Sequence, residues 1–300
     1  MFHNLRTKAK KKWFNHRCGG VLSSAPLKTK PSPVAIVTMM CHADLIMYLV
    51  SIKSFYPRLG HGHIFILDDG SLDEKDKEIL NHHLSNPEII PISKISTGAC
   101  PKGGCWERIM LVSQLAEEYF VIQLDADIVT VGPVEEVQAA AEAQKSFTLG
   151  TPQGLKFITL AEASKAVVGS TGKHVQTLSE RHFQNLNGSG VRKYVRGCAG
   201  FAGFAKGSIR KANLESFSLE MENGIGSTWK NWGSEQVTSN YVVSNSESSL
   251  VLPFPKYGSF EPGVDLSQSS VLHFYGPYRF ADGEYIRRSR ESMKYSSNGA

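Results

Sequence analysis

The residues of this sequence best placed to do chemistry are two aspartates one residue apart, Asp125 and Asp127. They follow the apolar run 119–124 (YFVIQL), which predicts a buried strand ending beside them. Carboxylates at the edge of an apolar sheet lose solvation, and a divalent cation is the usual partner of oxygen ligands so placed. A cation at that position could hold a diphosphate. The alternative is a surface turn with two solvated aspartates, because D-x-D alone is a weak motif.

The composition is that of a globular protein: 300 residues, 41% of them hydrophobic and 20% charged. This length suits one large α/β domain or two small ones. No apolar stretch is long enough to cross a bilayer, and the basic N-terminus lacks the apolar segment of a secretory signal. The five cysteines are odd in number and lack C-x-x-C spacing. We therefore expect reduced thiols and a cytoplasmic protein.

The net charge of +5 comes from the first 30 residues, which contain eight lysines and arginines and no acid. The rest of the chain has 25 basic and 28 acidic residues and is mildly acidic. Residues 1–33 are predicted to form a basic flexible arm. The functional alternative is attraction to an anionic membrane surface, with Trp13 and Phe14 as interfacial anchors. Nucleic-acid binding is not expected, because no basic face interleaved with aromatic residues recurs beyond the arm.

Apolar runs and helical patterns alternate over residues 34–131 in the order β-α-β-α-β-α-β, which predicts a mostly parallel sheet flanked by helices. The predicted strands are 34–40, 63–67, 88–92 and 119–124, and the predicted helices are 43–56, 73–84 and 106–118. Beyond residue 133 the pattern is weaker, with a helix expected from Ser234 and a late strand at 271–275. Residues 281–300 are expected to form a terminal helix or tail.

Ligands of open α/β sheets bind at the carboxyl ends of the strands, and two of these ends carry aspartates. Asp68 and Asp69 follow the second predicted strand, and Asp125 and Asp127 follow the fourth. The sequence has no G-x-G-x-x-G after the first strand, no phosphate-binding P-loop and no G-x-S-x-G elbow. A metal, rather than a glycine-rich loop, is therefore expected to hold phosphate.

Several motifs of this sequence together resemble those of a known enzyme family. Residues 119–131 (YFVIQLDADIVTV) resemble the D-x-D strand of glycosyltransferases with the GT-A fold, and the chain is most similar to the family 8-like nucleotide-sugar transferases. The segment 106–108 (WER) is similar to their aromatic-x-Arg, and 272–276 (LHFYG) to their late His-Phe-x-Gly. The segment 233–236 (GSEQ) stands where Asp-Gln is expected. The turn 68–71 (DDGS) is closer to family 2 transferases. The resemblance covers residues 34–280.

Three positions depart from the family pattern. Cys198 stands where an asparagine is usual, which puts a sugar contact in question. Glu235 replaces an aspartate and is one methylene longer. Arg279 stands near the usual position of a lysine and would offer a planar fork to phosphate instead of a point charge.

The resemblance implies a role for each matching residue. The implied metal ligands are Asp125, Asp127 and His273, for Mn²⁺ or Mg²⁺, and the imidazole favours Mn²⁺ over Ca²⁺. The implied contacts to the nucleotide-sugar donor are Asp69, Arg108, Asp125 and Arg279. Lys102, in the segment 101–104 (PKGG), could add positive charge near the donor. The implied catalytic residues are Glu235 and Gln236, facing the anomeric carbon.

Each of these residues also has an ordinary structural interpretation. Asp69 could simply form a turn before Gly70, and Lys102 could lie in a solvated loop. Arg108 could form a helix-surface ion pair, and His273 could be a core histidine. Glu235 could be a helix-start acid after Ser234, which is a good N-cap residue.

The resemblance therefore implies a GT-A (Rossmann-like) α/β enzyme with a smaller acceptor-side subregion. Residues 34–132 would form its nucleotide-binding half, and residues 133–280 its acceptor-side and metal-completing half. It would transfer a sugar from a nucleotide diphosphate donor, most readily a UDP-sugar, to a hydroxyl of a glycan, lipid or protein. One alternative is a nucleotidyltransferase, although residues 39–43 lack the glycine- and lysine-rich loop of that class. Another is a degenerate nucleotide-sugar or glycan-binding module without turnover, which the departures at Cys198 and Glu235 favour.

Overall fold

The computed structural model describes residues 2–298 as alternating strands and helices. The α-helices are α1 (Phe2–Cys18), α2 (Leu45–Leu59), α3 (Glu74–Leu84), α4 (Trp106–Leu115), α5 (Glu135–Glu142), α6 (Leu160–Ala166), α7 (Val175–His182), α8 (Lys211–Ile225), α9 (Ser234–Ser244) and α10 (Glu284–Asn298). The strands are β1 (Val34–Met40), β2 (His63–Asp68), β3 (Glu88–Pro91), β4 (Phe120–Leu124), β5 (Ile128–Thr130), β6 (Ser146–Leu149), β7 (Ile158–Thr159), β8 (Lys193–Tyr194), β9 (Cys198–Phe204), β10 (Ser249–Val251), β11 (Tyr257–Ser259) and β12 (Val271–His273).

The described strands form sheets of seven, three and two strands. In the largest sheet β1 pairs in parallel with β2, β2 with β3, and β10 with β6, whereas β6 and β9 are antiparallel. The small sheets have the orders β11-β12-β5 and β7-β8. Helices connect the strands of the large sheet, as expected when parallel strands need crossover connections. The predicted mixed α/β fold with a mostly parallel sheet is confirmed.

The chain forms two compact units that interleave along the sequence. Unit 1 comprises the described parts of Met1–Pro91, Leu124–Gln138 and Pro255–Ala300, and unit 2 comprises Ile92–Gln123 and Ala139–Phe254. The division at residue 132 into a nucleotide-binding half and an acceptor-side half stays a prediction.

The core of unit 1 is built on β1 and α2. Residues 34–37 of β1 are at most 3% exposed, as the continuous apolar run predicts for a strand covered on both faces. Helix α2 continues past the predicted end at Pro57 to Leu59, because a proline in the last turn removes only one backbone bond. The helix ends at Gly60, whose φ of 93° gives a left-handed cap.

The N-terminal segment differs from the predicted flexible arm, because residues 2–18 form helix α1. Phe14 and Cys18 are fully buried, and the Phe14 ring stacks on Tyr285 of α10 with 4.2 Å between ring centroids. Lys11 forms an ion pair with Asp44 at 2.5 Å. Phe14 is therefore a core residue of unit 1 and not the exposed membrane anchor that the sequence suggested. The high positive charge of the segment hid these two apolar residues, which lie one helical turn apart.

We expect Phe14→Ala to destabilise the protein by about 3–5 kcal/mol, because it leaves a cavity beside Tyr285. Trp13 is the matched control, since it is the adjacent aromatic residue and is 55% exposed. Trp13→Ala should change the free energy of unfolding by no more than about 0.5 kcal/mol. Urea unfolding of both variants measures the difference, and equal effects would contradict the packing of α1.

Unit 2 contains β9, which lies in a run of small residues at 197–207. All residues of β9 are buried, and Gly203 lies against the ring of Phe147 on β6. A Cβ at position 203 would overlap this ring, so the glycine is required for β6 and β9 to pack closely.

None of the helices within residues 2–298 combines the length and the apolar composition that crossing a bilayer requires.

Candidate functional site

The pairing of β12 with β5 brings the late histidine to the central aspartates within unit 1. The two strands are antiparallel, and His273 lies opposite Ile128. The backbone N–H of Phe274 donates to the carbonyl oxygen of Asp127 at 2.9 Å, which extends the pairing by one step. Residues 146 positions apart in sequence therefore become neighbours, and the predicted meeting of His273 with Asp127 is present in the fold.

Asp125, Asp127 and His273 form a compact group, in which one potential ligand atom from each side chain lies within 4.8 Å of the others. His273 Nε2 is 3.2 Å from Asp127 Oδ1. Asp127 and His273 are each only 5% exposed, whereas Asp125 is half-buried. Two carboxylates and one imidazole are a donor set that suits Mn²⁺ and, with added water, Mg²⁺. The side chains present therefore fit a divalent cation.

Arg279 belongs to the same group. Its Nη2 lies 2.5 Å from Asp127 Oδ2, and its Nε donates to the carbonyl oxygen of Phe274 at 3.0 Å. Burial by itself would raise the pKa of Asp127, but the electrostatic and hydrogen-bond contacts with His273 and Arg279 outweigh it and hold that pKa below its usual value. Asp127 is thus a carboxylate at neutral pH. The sequence predicted that Arg279 contacts phosphate, and in the structure Arg279 forms an ion pair with Asp127.

The turn that carries the two aspartates is held by residues that the sequence did not single out. Ser51 Oγ on α2 donates to the carbonyl oxygen of Asp125 at 2.9 Å. The Tyr285 hydroxyl on α10 donates to the carbonyl oxygen of Ala126 at 3.3 Å. The turn is closed by a bond from Ile128 N to Asp125 O at 3.2 Å. These contacts fix the backbone between Asp125 and Asp127, and no local sequence signal could have shown them.

Asp68 and Asp69 shape the turn after β2. Asp69 is exposed, and its Oδ1 accepts from the backbone N–H of Ser71 at 3.0 Å and from its hydroxyl at 2.6 Å. Asp68 Oδ1 accepts from the backbone of Gly70 at 2.8 Å and of Leu72 at 3.2 Å. Turn formation is therefore observed for Asp69, and its contact with the donor stays a prediction.

A second group of potential ligands in unit 1 is His42, Asp73 and Asp76. Its carboxylates already serve α3, because Asp73 and Asp76 form a reciprocal capping box at the start of that helix. His42 Nδ1 lies 2.6 Å from Asp76 Oδ2, and this hydrogen bond raises the pKa of the histidine. The group is explained by helix capping.

In unit 2, two predicted site residues pair with each other. Arg108 Nη2 lies 3.3 and 3.4 Å from the two carboxylate oxygens of Glu235. Both side chains are buried, at 6% and 4% exposure. The indole N–H of Trp106 donates to Ser234 Oγ at 2.9 Å, so this serine does not cap α9, and Gly233 occupies the cap position instead. Helix α4 thus holds the start of α9 by an ion pair and a hydrogen bond.

The two remaining predicted residues also lie in unit 2. Gln236 is half-buried in the first turn of α9, directly after Glu235. Lys102 is exposed in the loop before α4, where the neighbouring Gly103 N–H donates to Glu107 Oε1 at 2.9 Å. Their roles toward the donor sugar stay predictions.

Unit 2 also contains a buried carboxyl group, Glu180, that the sequence analysis missed. Its side chain is 3% exposed and lies 3.5 Å from Arg196 Nη1. Burial raises the pKa of Glu180 to about 7, although Arg196 partly opposes the shift. The folded protein therefore holds a proton here over a pH range in which the unfolded chain has released it.

This raised pKa predicts a pH-dependent stability. The contribution of Glu180 is fully present below about pH 4.5 and is lost as the pH rises through about 7. Between pH 5 and 8 we expect wild type to lose about 2 kcal/mol more unfolding free energy than Glu180→Gln, whose side chain cannot ionise. Urea unfolding at both pH values tests this. Glu117→Gln, at an exposed position, should show the wild-type pH dependence.

The protein has an α/β fold with a mostly parallel sheet, and two carboxylates and one imidazole meet at Asp127 within unit 1. No protein-family model matches the sequence, and no curated protein matches it. Solved structures do match. One is the galactosyltransferase LgtC in complex with donor and acceptor sugar analogues, at 10% identity, with 87% of this chain and 95% of that chain covered and a TM-score of 0.52.

A second match is the bifunctional glycosyltransferase WbbM, solved in its apo form. The identity is 13% and the TM-score 0.54, and the match covers 92% of this chain but only 51% of WbbM. At these identities the likeness concerns the fold. The predicted GT-A fold is confirmed, and the particular similarity to family 8 stays a prediction.

Proposed function

We propose that this protein is a metal-dependent glycosyltransferase that moves a sugar from a nucleotide diphosphate donor, most readily a UDP-sugar, to a hydroxyl acceptor. The observation that carries the proposal is the convergence of Asp125, Asp127 and His273 in a chain with the fold of known glycosyltransferases. Each of these side chains alone has an ordinary explanation, but a buried group of two carboxylates and one imidazole is expensive to keep without a function.

Asp125, Asp127 and His273 are the residues that would hold Mn²⁺ or Mg²⁺. When bound there, the cation supplies Lewis-acid stabilisation of the negative charge that grows on the leaving diphosphate. The chain itself supplies the negative charge of Asp127, which His273 and Arg279 maintain. Arg279 adds a fixed positive charge beside the site, and its fork suits phosphate oxygens.

The other predicted residues receive proposed roles in the same reaction. Asp69 would accept a hydrogen bond from the nucleobase or ribose, and Lys102 would add positive charge near the donor. Glu235 and Gln236 would face the anomeric carbon. The ion pair with Arg108 supports this role for Glu235, because it holds the carboxylate in place at the start of α9. Arg108 thus has two proposed roles: it positions Glu235, and it contacts the donor.

The test is calorimetric titration of the protein with UDP, with and without Mn²⁺, followed by turnover of radiolabelled UDP-sugars. We expect Mn²⁺ to strengthen UDP binding at least tenfold and free UDP to appear as sugar is transferred or hydrolysed. Binding without turnover would identify a binding module. Release of the labelled sugar as sugar 1-phosphate, with the uridylyl group moved to an added pyrophosphate, would identify a nucleotidyltransferase. UDP binding that is indifferent to Mn²⁺ would overturn the proposal.

A further part of the proposal concerns location: a cytoplasmic protein that contacts an anionic membrane surface through α1. The exposed face of this helix carries Lys8, Lys12, Trp13 and Arg17, and the helix has no acid. Trp13 is 55% exposed, and the Arg17 guanidinium lies 5.5 Å from its ring centroid. A tryptophan among basic side chains suits the boundary between charged headgroups and acyl chains.

Liposome co-sedimentation tests this part. We expect binding to vesicles that contain phosphatidylserine and none to neutral phosphatidylcholine vesicles. Because each basic residue near the surface contributes about 1 kcal/mol, Lys8→Glu combined with Lys12→Glu should weaken binding by more than tenfold. The control is Lys206→Glu, at an exposed position in unit 2. Equal binding to both vesicle types would contradict the membrane contact.

A further inference from the structure

The most exposed aromatic side chain of the described residues is Trp232, at 70% exposure, three positions before Glu235. Single exposed apolar residues are common and need no explanation in general. This one is distinguished by how firmly its backbone is held. Trp229, three residues earlier, is fully buried, and Ser234, two residues later, accepts the hydrogen bond from Trp106. The chain therefore presents a large ring to solvent from a fixed backbone.

A histidine stands at the edge of this ring. The centroids of His174 and Trp232 are 6.2 Å apart, and the two planes meet at 75°. His174 is exposed, and its Nδ1 accepts from the backbone N–H of Gln176 at 3.3 Å. Because Nδ1 accepts this bond, Nε2 is the ring nitrogen that can donate a hydrogen bond to a ligand. An aromatic face and a polar donor are thus held side by side.

Gly233 makes this arrangement possible. Its φ of 104° is in the left-handed region, and a Cβ at this position would lie 2.9 Å from His174 Cε1. The backbone between Trp232 and Ser234 therefore passes directly against the imidazole. On the other side, a Cβ on Gly104 would be 3.7 Å from the Trp232 Cα, so the loop that contains Lys102 also lies beside this tryptophan.

We propose that Trp232 and His174 form a stacking platform for a pyranose ring of the acceptor, so that the hydroxyl acceptor is a carbohydrate. One face of a pyranose presents C–H groups that pack on an aromatic ring, while the hydroxyls at its rim take hydrogen bonds from groups such as His174 Nε2. Neither a lipid tail nor an extended peptide needs that combination. The proposal rests on the proposed sugar transfer, because it names the acceptor of that reaction.

The exposure of the platform assigns it to the acceptor and not to the donor sugar. A donor sugar must be shielded from water, because an activated glycosyl group that meets water is hydrolysed. A ring that is 70% exposed offers little shielding. It is open to a second substrate that arrives from solution, and its nearness in sequence to Glu235 and Gln236 places it beside the residues proposed to face the anomeric carbon.

The experiment labels the four tryptophans of the chain with ¹⁵N and follows their indole N–H signals by NMR. The full-length protein is titrated with mono- and disaccharides of glucose, galactose and mannose, and with sorbitol as a polyol that has no ring. Trp232→Phe assigns the Trp232 signal. We expect at least one saccharide to shift this signal, sorbitol to leave it unchanged, and the exposed Trp13 to stay unchanged throughout.

Variants separate the platform from the donor site. Trp232→Ala should lower the affinity for the saccharide that binds by about tenfold. Trp232→Phe should retain most of this affinity. Both should keep the remaining indole signals in place and bind UDP with Mn²⁺ like wild type. The proposal is overturned if no saccharide moves the Trp232 signal, if Trp13 moves equally, or if Trp232→Ala impairs UDP binding but not saccharide binding. If Mn²⁺ does not strengthen UDP binding to the wild-type protein, the proposed sugar transfer is overturned. The saccharide titration then still decides whether Trp232 binds a pyranose.

Discussion

Asp127→Asn is expected to lower transfer from a UDP-sugar by about 100- to 1,000-fold while the protein stays folded. Asp127 is a buried carboxylate between two positively polarised neighbours, His273 at 3.2 Å and Arg279 at 2.5 Å. The amide has nearly the same shape but no charge, so it is a poor ligand for a hard cation. The loss should appear in the maximal rate at saturating UDP-sugar and in the Mn²⁺ concentration needed for half-maximal activity.

The control for this prediction is Asp265→Asn, also in unit 1. Asp265 is exposed and accepts from the backbone N–H of Ser267 at 2.9 Å, so it shapes a turn outside the group at Asp127. Its substitution should leave Mn²⁺-dependent transfer within about twofold of wild type. If Asp127→Asn behaved like this control, the assignment of Asp127 to the metal would be wrong.

Glu235→Leu is expected to destabilise the protein by about 3–5 kcal/mol, because it breaks the buried ion pair between Glu235 and the Arg108 guanidinium. Urea unfolding monitored by circular dichroism measures this loss. Leucine fills much of the space of glutamate, so the cost is chiefly that of the broken ion pair and not of a cavity.

The double variant Arg108→Met with Glu235→Leu separates structural from chemical roles. Removing both charges of a buried pair is often close to neutral, so most of the lost stability should return. If Glu235 acts on the anomeric carbon as proposed, the double variant should remain inactive in sugar transfer although its stability is restored. Recovery of both stability and transfer would show that the pair serves only the fold, and a stable Glu235→Leu single variant would contradict the burial of the pair.

Much of the fold could be predicted because its information is local. The run Val34–Met40 is apolar except for Thr38 and forms β1 with these limits. Alternation of such runs with helical spacing fixes a parallel sheet with few alternatives. Helix α1 was missed for the opposite reason. Its stability depends on Phe14 meeting Tyr285 of α10, and nothing near Phe14 in the sequence indicates a contact with a residue so distant.

The candidate site divides in the same way. Asp125 and Asp127 could be recognised from the strand before them, and His273 could be linked to them through a motif resemblance. They meet because β12 pairs with β5 in the antiparallel direction. A strand at 271–275 was predicted, but two strands of three residues do not indicate in the sequence that they pair with each other. The Arg108–Glu235 ion pair joins residues 127 positions apart, and either residue alone looks like an ordinary surface charge.

The central claim is that an imidazole and two carboxylates of unit 1 share one divalent cation. Its most direct test is a crystal grown with UDP and Mn²⁺, with anomalous scattering measured at the manganese edge. We predict one anomalous peak within about 2.0–2.6 Å of an Asp127 carboxylate oxygen and of His273 Nε2, with Asp125 adjoining it. A peak bonded to neither residue, with Asp127 still held by Arg279 and His273, would contradict the account.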